Sequence, residues 1–201
     1  MKIQTKFKLE SYFGLFGTLI TMVLLITAAI ITPNYNPLLN TISSIGEGKA
    51  KFLFSIAFII AGCSFIPFYI YLERELVEIK EKIRKIATAL SIIGCISIAL
   101  VGVIPDTTYG SFYYLFHGIV AFLGFFGSGV YISLYSYLMY KSIKMENFEG
   151  PEFHKFLAYF GFYIGIGLLL LLFVFIPILE WIITFSIGLW IILTSIHLLK
   201  H

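Results

Sequence analysis

The chain has 201 residues, of which 59% are hydrophobic and only 12% are charged, and its formal net charge is +3. Soluble domains carry about 25% charged residues, so this chain could not cover a water-facing surface, and lipid must be its main solvent. Its length allows one compact helical bundle, which we treat as a single membrane domain over residues 1–201. The sequence contains no Gly-rich phosphate loop, and no nucleic-acid partner is expected.

Six apolar stretches are long enough to cross a bilayer, which takes about 20 predominantly apolar residues. They are residues 12–32, 52–72, 86–104, 112–140, 156–177 and 179–199. Pro177 is expected to end the fifth helix because proline interrupts helices, and Glu180 and Trp181 are typical of a membrane interface. The sequence therefore predicts an all-α, polytopic integral membrane protein with six transmembrane helices in one bundle.

The positive charges of the connecting segments predict the orientation of the bundle. If the N-terminus is inside, every lysine and arginine except Lys49 and Lys51 falls on the inner side of the membrane. The positive-inside rule therefore predicts a multi-pass protein of the cell membrane with both termini in the cytoplasm.

The longest outer connection, Pro33–Lys51, is rich in the turn-forming residues Pro, Asn, Gly and Ser. It also carries apolar side chains at Leu38, Leu39, Ile42 and Ile45, so it is expected to lie on the membrane surface or to dip into the bundle. Two interpretations stay open: the segment is a lid over a site, or it is a plain connecting loop.

The inner connection between the second and third spans is strongly charged. Residues Glu73–Lys85 have a helical pattern in which Glu78–Lys82 and Glu81–Lys85 are spaced i,i+4 in the favourable order. The pattern predicts a charged helical hairpin that extends into the cytoplasm. Such a hairpin could bind a partner in a scaffold or assembly, or it could be a solvated extension of the two helices.

The stretch Val101–Gly118 holds the residues that are most informative about chemistry. Asp106 lies in a polar turn between two spans, and His117 lies about 9 Å below the start of the fourth helix at 1.5 Å per residue. Ionisable groups inside a span usually face the bundle interior and are candidates for function. An imidazole that bonds a neighbouring helix would also explain His117, and an Asx turn would explain Asp106.

Other polar side chains would complete a site at the outer rim of the bundle. Glu180 begins the sixth span, where the positive end of a helix favours a carboxylate even without a function. Asn40, Ser43 and Ser44 lie in the first outer connection. We expect Asn40, Ser44 and Glu180 to contact a ligand.

Three kinds of site are consistent with these residue types. Ser43, His117 and Asp106 could carry out acyl transfer or hydrolysis on a lipid. His117, Asp106 and Glu180 could hold a metal ion. The same groups could also hydrogen-bond a lipid headgroup without chemistry. The sequence contains neither the serine-hydrolase motif G-x-S-x-G nor the zinc-protease motif H-E-x-x-H. It therefore leaves open whether the protein is an enzyme and whether it takes a metal or another cofactor.

Short motifs along the chain resemble a known family. They are N-Y-N-P-x-x-N-T-I-S-S-I-G at residues 34–46, G-x-x-x-x-x-L-V-G-V-I-P-D at residues 94–106, and His117-Gly118. This pattern resembles the prokaryotic six-helix membrane family called domain of unknown function 998, and it is distantly similar to the FRAG/DRAM/SFK group. The resemblance implies a six-helix bundle with relatives linked to membrane-lipid remodelling, lipid-kinase scaffolding or autophagy.

The sequence leads to one functional hypothesis and one alternative. The hypothesis is binding or modification of a lipid headgroup at the outer leaflet, in which His117 is the base or ligand, Asp106 orients it and Ser43 contacts the headgroup. The alternative is a non-catalytic membrane scaffold that uses the hairpin Glu73–Lys85. Membrane lipid is the expected partner, and the sequence leaves a homo-oligomer open.

Overall fold

A computed structural model of the chain describes residues 8–104, 111–174 and 176–200. These residues form six α-helices and one 3-10 helix, and they contain no β-strand. The helices are α1 Leu9–Ile31, the 3-10 helix Ser43–Glu47, α2 Lys51–Glu75, α3 Glu81–Val103, α4 Ser111–Ser142, α5 Lys155–Leu171 and α6 Pro177–Lys200.

Five of the described helices, α1 to α4 and α6, are long and apolar enough to cross a membrane. Helix α5 is apolar but has only 17 residues. At 1.5 Å per residue it spans about 26 Å, slightly less than the hydrocarbon core of about 30 Å. The predicted all-helical, multi-pass membrane architecture is therefore confirmed, and the sixth crossing stays a prediction.

The boundary between α5 and α6 differs from the sequence prediction. Helix α5 ends at Leu171, well before the predicted end at residue 177, and Pro177 begins α6 instead of ending α5. Proline suits the first position of a helix because the N–H it lacks would have no helical partner there and its φ is already helical. The prediction that Pro177 ends a helix was therefore wrong, and α5 is the shortest of the six helices.

The helices pack in a ring. Helix α2 packs on α1 and α3, α4 packs on α3 and α5, and α6 packs on α1 and α5. Helices α4 and α6 share no extensive packing in the described part of the chain. We call the end of the bundle that carries residues 32–50 the upper end and the opposite end the lower end, and these names imply no orientation in a membrane.

Glycines let α2 and α3 approach closely, which is common between helices packed in lipid. A Cβ at Gly62 would overlap the carbonyl oxygen of Cys95 and would lie 2.7 Å from the side chain of Ala99. A Cβ at Gly102 would lie 2.6 Å from the carbonyl oxygen of Ser55. The two backbones are therefore in direct contact at two levels of the bundle.

The charged connection Glu73–Lys85 is not one continuous helix. Helix α2 ends at Glu75, α3 begins at Glu81, and Lys80 at the joint has a positive φ of 36°. One of the predicted i,i+4 pairs is present, since Lys85 Nζ lies 2.5 Å from Glu81 Oε1.

This connection is anchored in the bundle. Leu76 and Ile79 in the turn are buried. Arg84 is also buried, and its Nε lies 2.8 Å from Glu73 Oε1. The ion pair ties the start of α3 to the end of α2, so the turn packs against the lower end of the bundle instead of extending away from it.

Candidate functional site

A cavity of about 490 Å³ lies inside the bundle, between its upper end and the level of Tyr131 on α4. All six helices contribute to its wall, together with residues 41–43 above it. Most of the wall is apolar. Its polar side chains are few, and they are Thr21, Thr41, Ser43, Tyr114, His117, Ser128, Tyr131, Glu180 and Thr184.

The cavity opens sideways at α4. Tyr114, Gly118 and Phe122 line the cavity and are also exposed on the surface of the helix. A shallow groove follows the same face past Leu115 and Ile119. Helix α5, which packs on both α4 and α6, contributes only its last residue, Leu171, to the cavity wall, so it does not cover the side of the cavity above its end. In a membrane this face of the bundle contacts lipid, so the cavity is accessible from the bilayer.

His117 is held in the wall of the cavity by the end of α3. It lies six residues into α4, as predicted, and is only 4% exposed. Its Nδ1 lies 2.6 Å from the carbonyl oxygen of Ile104. A carbonyl oxygen can only accept, so Nδ1 carries a proton, and in the neutral imidazole Nε2 carries the lone pair.

Nε2 of His117 is buried and has no hydrogen-bond partner among the described residues. Buried polar atoms in proteins almost always have a partner, and the exceptions call for a ligand, an ordered water or a functional role. His117 therefore bonds the end of the neighbouring helix α3 and also lines the cavity, and its role in function stays a prediction.

Thr184 on α6 is a second polar side chain in the cavity wall that lacks a partner. Its Oγ1 is buried and makes no hydrogen bond within residues 8–104, 111–174 and 176–200. By contrast, Thr18 and Thr194 each donate to the carbonyl four residues earlier at 2.7 Å. Our sequence reasoning missed Thr184, and the signal that could have found it is its i,i+4 spacing from Glu180 on one helix face.

Glu180 and Trp181, at the start of α6, hold the segment 32–50 above the cavity. Oε2 of Glu180 accepts a hydrogen bond of 2.9 Å from the backbone N–H of Ile42. Nε1–H of Trp181 donates to the phenol oxygen of Tyr35 at 2.7 Å, and the two rings pack edge to face. The segment is therefore fixed to α6 at two adjacent residues.

The phenol of Tyr35 also bonds the segment to itself, by donating to the carbonyl oxygens of Asn40 and Thr41. Burial raises the pKa of Tyr35, the hydrogen bond from Trp181 opposes that rise, and the carboxylate of Glu180 adds to it. A raised pKa keeps the phenol protonated at neutral pH, so it can donate to these carbonyls while it accepts from Trp181.

The segment 32–50 dips into the bundle. Ile42 and Ile45 are buried, whereas Leu38 and Leu39 are exposed. The segment also contains the 3-10 helix Ser43–Glu47. Its apolar side chains therefore divide between the cavity roof and the surface of the bundle.

Three of the predicted site residues, Ser43, His117 and Glu180, line the same cavity. Asp106 lies outside the described residues, so its role stays a prediction. The group that orients the His117 ring in the described structure is the carbonyl of Ile104.

Two other predicted site residues make bonds within their own segment. Oδ1 of Asn40 accepts from the backbone N–H of Asn36 at 3.0 Å, and Oγ of Ser44 donates to the carbonyl of Thr41 at 2.7 Å. Neither side chain lines the cavity. Both stabilise the turns of the segment, which is the usual role of Asn and Ser side chains in loops.

The described residues contain no group of three or more His, Cys, Asp or Glu side chains that could hold a metal ion. The cavity brings together one imidazole and one carboxylate, His117 and Glu180, in an otherwise apolar wall with a few hydroxyls. Such a wall can hold an amphiphilic molecule whose polar end forms hydrogen bonds and whose apolar part contacts the remaining surface.

Comparison with curated proteins gave no match, and comparison with solved structures gave none either. The profile of one family, described as "Protein of unknown function (DUF998)", matches residues 15–197 and so covers nearly the whole chain. The resemblance based on the short motifs is confirmed, and the more distant similarity to the FRAG/DRAM/SFK group stays a prediction. The chain belongs to the DUF998 family.

Proposed function

We propose that the protein binds a membrane lipid in the cavity, with the headgroup at His117, Thr184 and Glu180 and the chain in the opening at Gly118 and Phe122 of α4. The observation that carries the proposal is an apolar cavity that opens at the exposed face of α4 and whose wall includes two buried polar atoms without a hydrogen-bond partner in the part of the chain that the structure describes. Leaving such an atom without a bond costs about 1–3 kcal/mol, so a ligand that bonds both would stabilise the bundle.

The size and the walls of the cavity support a headgroup and the adjoining part of a chain as its contents. Its volume of about 490 Å³ lies within the range of about 300–1,000 Å³ that is typical of small-molecule sites. The apolar walls would contact the hydrocarbon next to the headgroup. The rest of the chain would lie in the bilayer, because the opening at Gly118 and Phe122 leads there.

We place the upper end of the bundle at the outer face of the cell membrane and both termini in the cytoplasm. Lys49, between α1 and α2, and Lys51, the first residue of α2, are the basic residues at the upper end, and the other lysines and arginines lie at the lower end or near the termini. The positive-inside rule supports this orientation, and Tyr35 and Trp181 are aromatic residues of the kind found at membrane interfaces. The lipid would therefore come from the outer leaflet.

Modification of the bound headgroup is the second part of the proposal. The carbonyl of Ile104 fixes the His117 ring through Nδ1, and Nε2 has no hydrogen-bond partner among the described residues, so its lone pair is free to act as a general base. Ser43 lines the same cavity and supplies a hydroxyl. The scaffold alternative has less support, because the Glu73–Lys85 connection is anchored by the buried Arg84.

The test blocks the opening without changing a polar group. A Cβ at Gly118 or at Gly127 of α4 would meet nothing within 4 Å, so the helix should accept leucine at either position. Gly118 lines the cavity and Gly127 does not. Native mass spectrometry of the purified full-length protein should show about tenfold less retained lipid for Gly118→Leu, a loss equivalent to about 1.4 kcal/mol, and wild-type retention for Gly127→Leu. Equal retention by both variants would contradict lipid binding in this cavity.

A further inference from the structure

We infer that the part of the ligand held at the upper end of the cavity is a hydroxyl or an amine and not a phosphate. This inference rests on the proposed lipid binding and adds the chemical class of the headgroup. It is argued from the charges of the cavity wall and from the hydrogen-bonding capacity of its polar atoms.

The cavity wall carries no positive charge to balance a phosphate. Among its described lining residues there is no lysine or arginine, and the only carboxylate is Glu180. Residues 105–110, which the structure does not describe, have no lysine or arginine in their sequence. Lys49 and Lys51, the basic residues of the connection between α1 and α2, are exposed and do not line the cavity.

A phosphate at this position would therefore be unfavourable for two reasons. It would lose its hydration in a largely apolar cavity without gaining a cation, and burying an unpaired charge is costly. It would also be repelled by the carboxylate of Glu180, and such repulsion is stronger away from bulk water.

Two acceptor groups of the wall, the imidazole of His117 and the carboxylate of Glu180, favour a ligand that donates hydrogen bonds, whereas the wall hydroxyls, Ser43 among them, can donate or accept. Nε2 of His117 accepts in the neutral imidazole, because the proton on Nδ1 is engaged by Ile104. Glu180 already accepts from Ile42 through Oε2, and its Oε1 can only accept as well. The hydroxyl of Thr184 can donate or accept. A hydroxyl or an amine satisfies all three groups, and an ammonium group would form the stronger, charge-assisted bond to Glu180.

The hydrogen-bond donor can belong to a lipid with a free hydroxyl or to a lipid with an amine, and an experiment can distinguish the two. Delipidated full-length protein in mild detergent is titrated with three lipids that have identical acyl chains: diacylglycerol, the phosphate-free aminolipid 1,2-diacyloxy-3-aminopropane, and phosphatidic acid. The bound fraction is measured by native mass spectrometry. Binding that persists in Gly118→Leu is counted as surface lipid. We expect diacylglycerol or the aminolipid to bind the cavity at least about tenfold more tightly than phosphatidic acid, as a difference of about 1.4 kcal/mol would produce.

Glu180→Gln then identifies the donor. The glutamine keeps an oxygen that can accept from Ile42, so the segment 32–50 should stay in place. If the donor is an amine, Glu180→Gln weakens binding of the aminolipid severalfold more than binding of diacylglycerol. If the donor is a hydroxyl, the variant weakens both by a similar factor. Either pattern supports the inference.

Different results would contradict the inferred headgroup class and the proposed lipid binding. Phosphatidic acid that binds the cavity as tightly as the other two lipids would overturn the headgroup class while leaving lipid binding intact. If none of the three lipids binds in a way that depends on Gly118, both the headgroup class and the proposed function are wrong.

Discussion

The carboxylate of Glu180 and the backbone N–H of Ile42, 138 positions apart in the sequence, are joined by a hydrogen bond of 2.9 Å. The bond ties the first turn of α6 to the segment 32–50 above the cavity. Because Glu180 also lines the cavity, the residue that we expect to contact the headgroup also holds the cover of the site. Binding of a headgroup at Glu180 and the position of the segment should therefore be coupled.

The second attachment of this segment can be weakened by a small change. Trp181→Phe removes the Nε1–H that donates to Tyr35 and keeps an aromatic ring to pack against it. Loss of one such hydrogen bond is worth about 1 kcal/mol, so local opening of the segment should become about fivefold more frequent. Amide hydrogen exchange of residues 32–50, measured in detergent or nanodiscs, should rise accordingly.

Trp190→Phe is the matched control for this change. Trp190 also donates through Nε1, to the carbonyl of Leu157 at 3.1 Å, but it lies in the core cluster that contains Leu157 and Leu198. Its replacement should leave exchange of residues 32–50 unchanged. Faster exchange of that segment in Trp190→Phe, or no change in Trp181→Phe, would show that Trp181 does not hold it in place.

The helices could be predicted from the sequence because an apolar stretch of about 20 residues has few alternatives to a membrane helix. The boundary between α5 and α6 could not be predicted in the same way, because the apolar composition continues across it. Hydropathy does not locate a turn within such a run. Pro177 did mark the boundary, but proline favours the first turn of a helix as well as interrupting its interior, and the structure has it at the first position.

The site was predictable only where a residue type is rare in apolar surroundings. His117 and Glu180 are ionisable groups in or next to spans, and both line the cavity. Thr184 was missed because threonines are common in membrane helices and usually bond their own backbone. Asn40 was predicted as a ligand contact but bonds its own turn, because Asn side chains in loops often bond nearby backbone groups.

The close packing of α2 on α3 should be sensitive to one added methyl group. In Gly62→Ala the new Cβ would overlap the carbonyl oxygen of Cys95, and backbone atoms cannot move aside as a flexible side chain can. We expect a loss of about 1–3 kcal/mol in unfolding free energy, as is typical of overpacking, measured by thermal or denaturant unfolding in detergent. Gly127→Ala, where the Cβ meets nothing within 4 Å, should not destabilise the protein and should gain at most about 1 kcal/mol, because alanine favours a helix more than glycine does. Equal stability of both variants would show that α2 and α3 can separate at no cost.

The ion pair between Arg84 and Glu73 should contribute more to the unfolding free energy than the exposed pair between Arg74 and Glu10. Arg84 is buried, so Glu73→Ala leaves a buried charge without its partner. Breaking a buried pair costs about 3–5 kcal/mol, and we expect the lower part of that range because Glu73 is partly exposed. Arg74→Ala removes the exposed pair with Glu10 and should cost at most about 1 kcal/mol. Unfolding measurements that give equal losses for the two variants would show that Arg84 is solvated.

One substitution can distinguish the roles of the two ring nitrogens of His117. In His117→Asn the side-chain amide can still donate to the carbonyl of Ile104, but no acceptor remains at the position of Nε2. Lipid binding should therefore fall about tenfold, while the unfolding free energy changes by less than about 1 kcal/mol. His154→Asn is the control, because His154 is exposed at the start of α5 and asparagine is a good capping residue there. Lipid titrations that give His117→Asn the affinity of the wild type would show that Nε2 does not contact the headgroup.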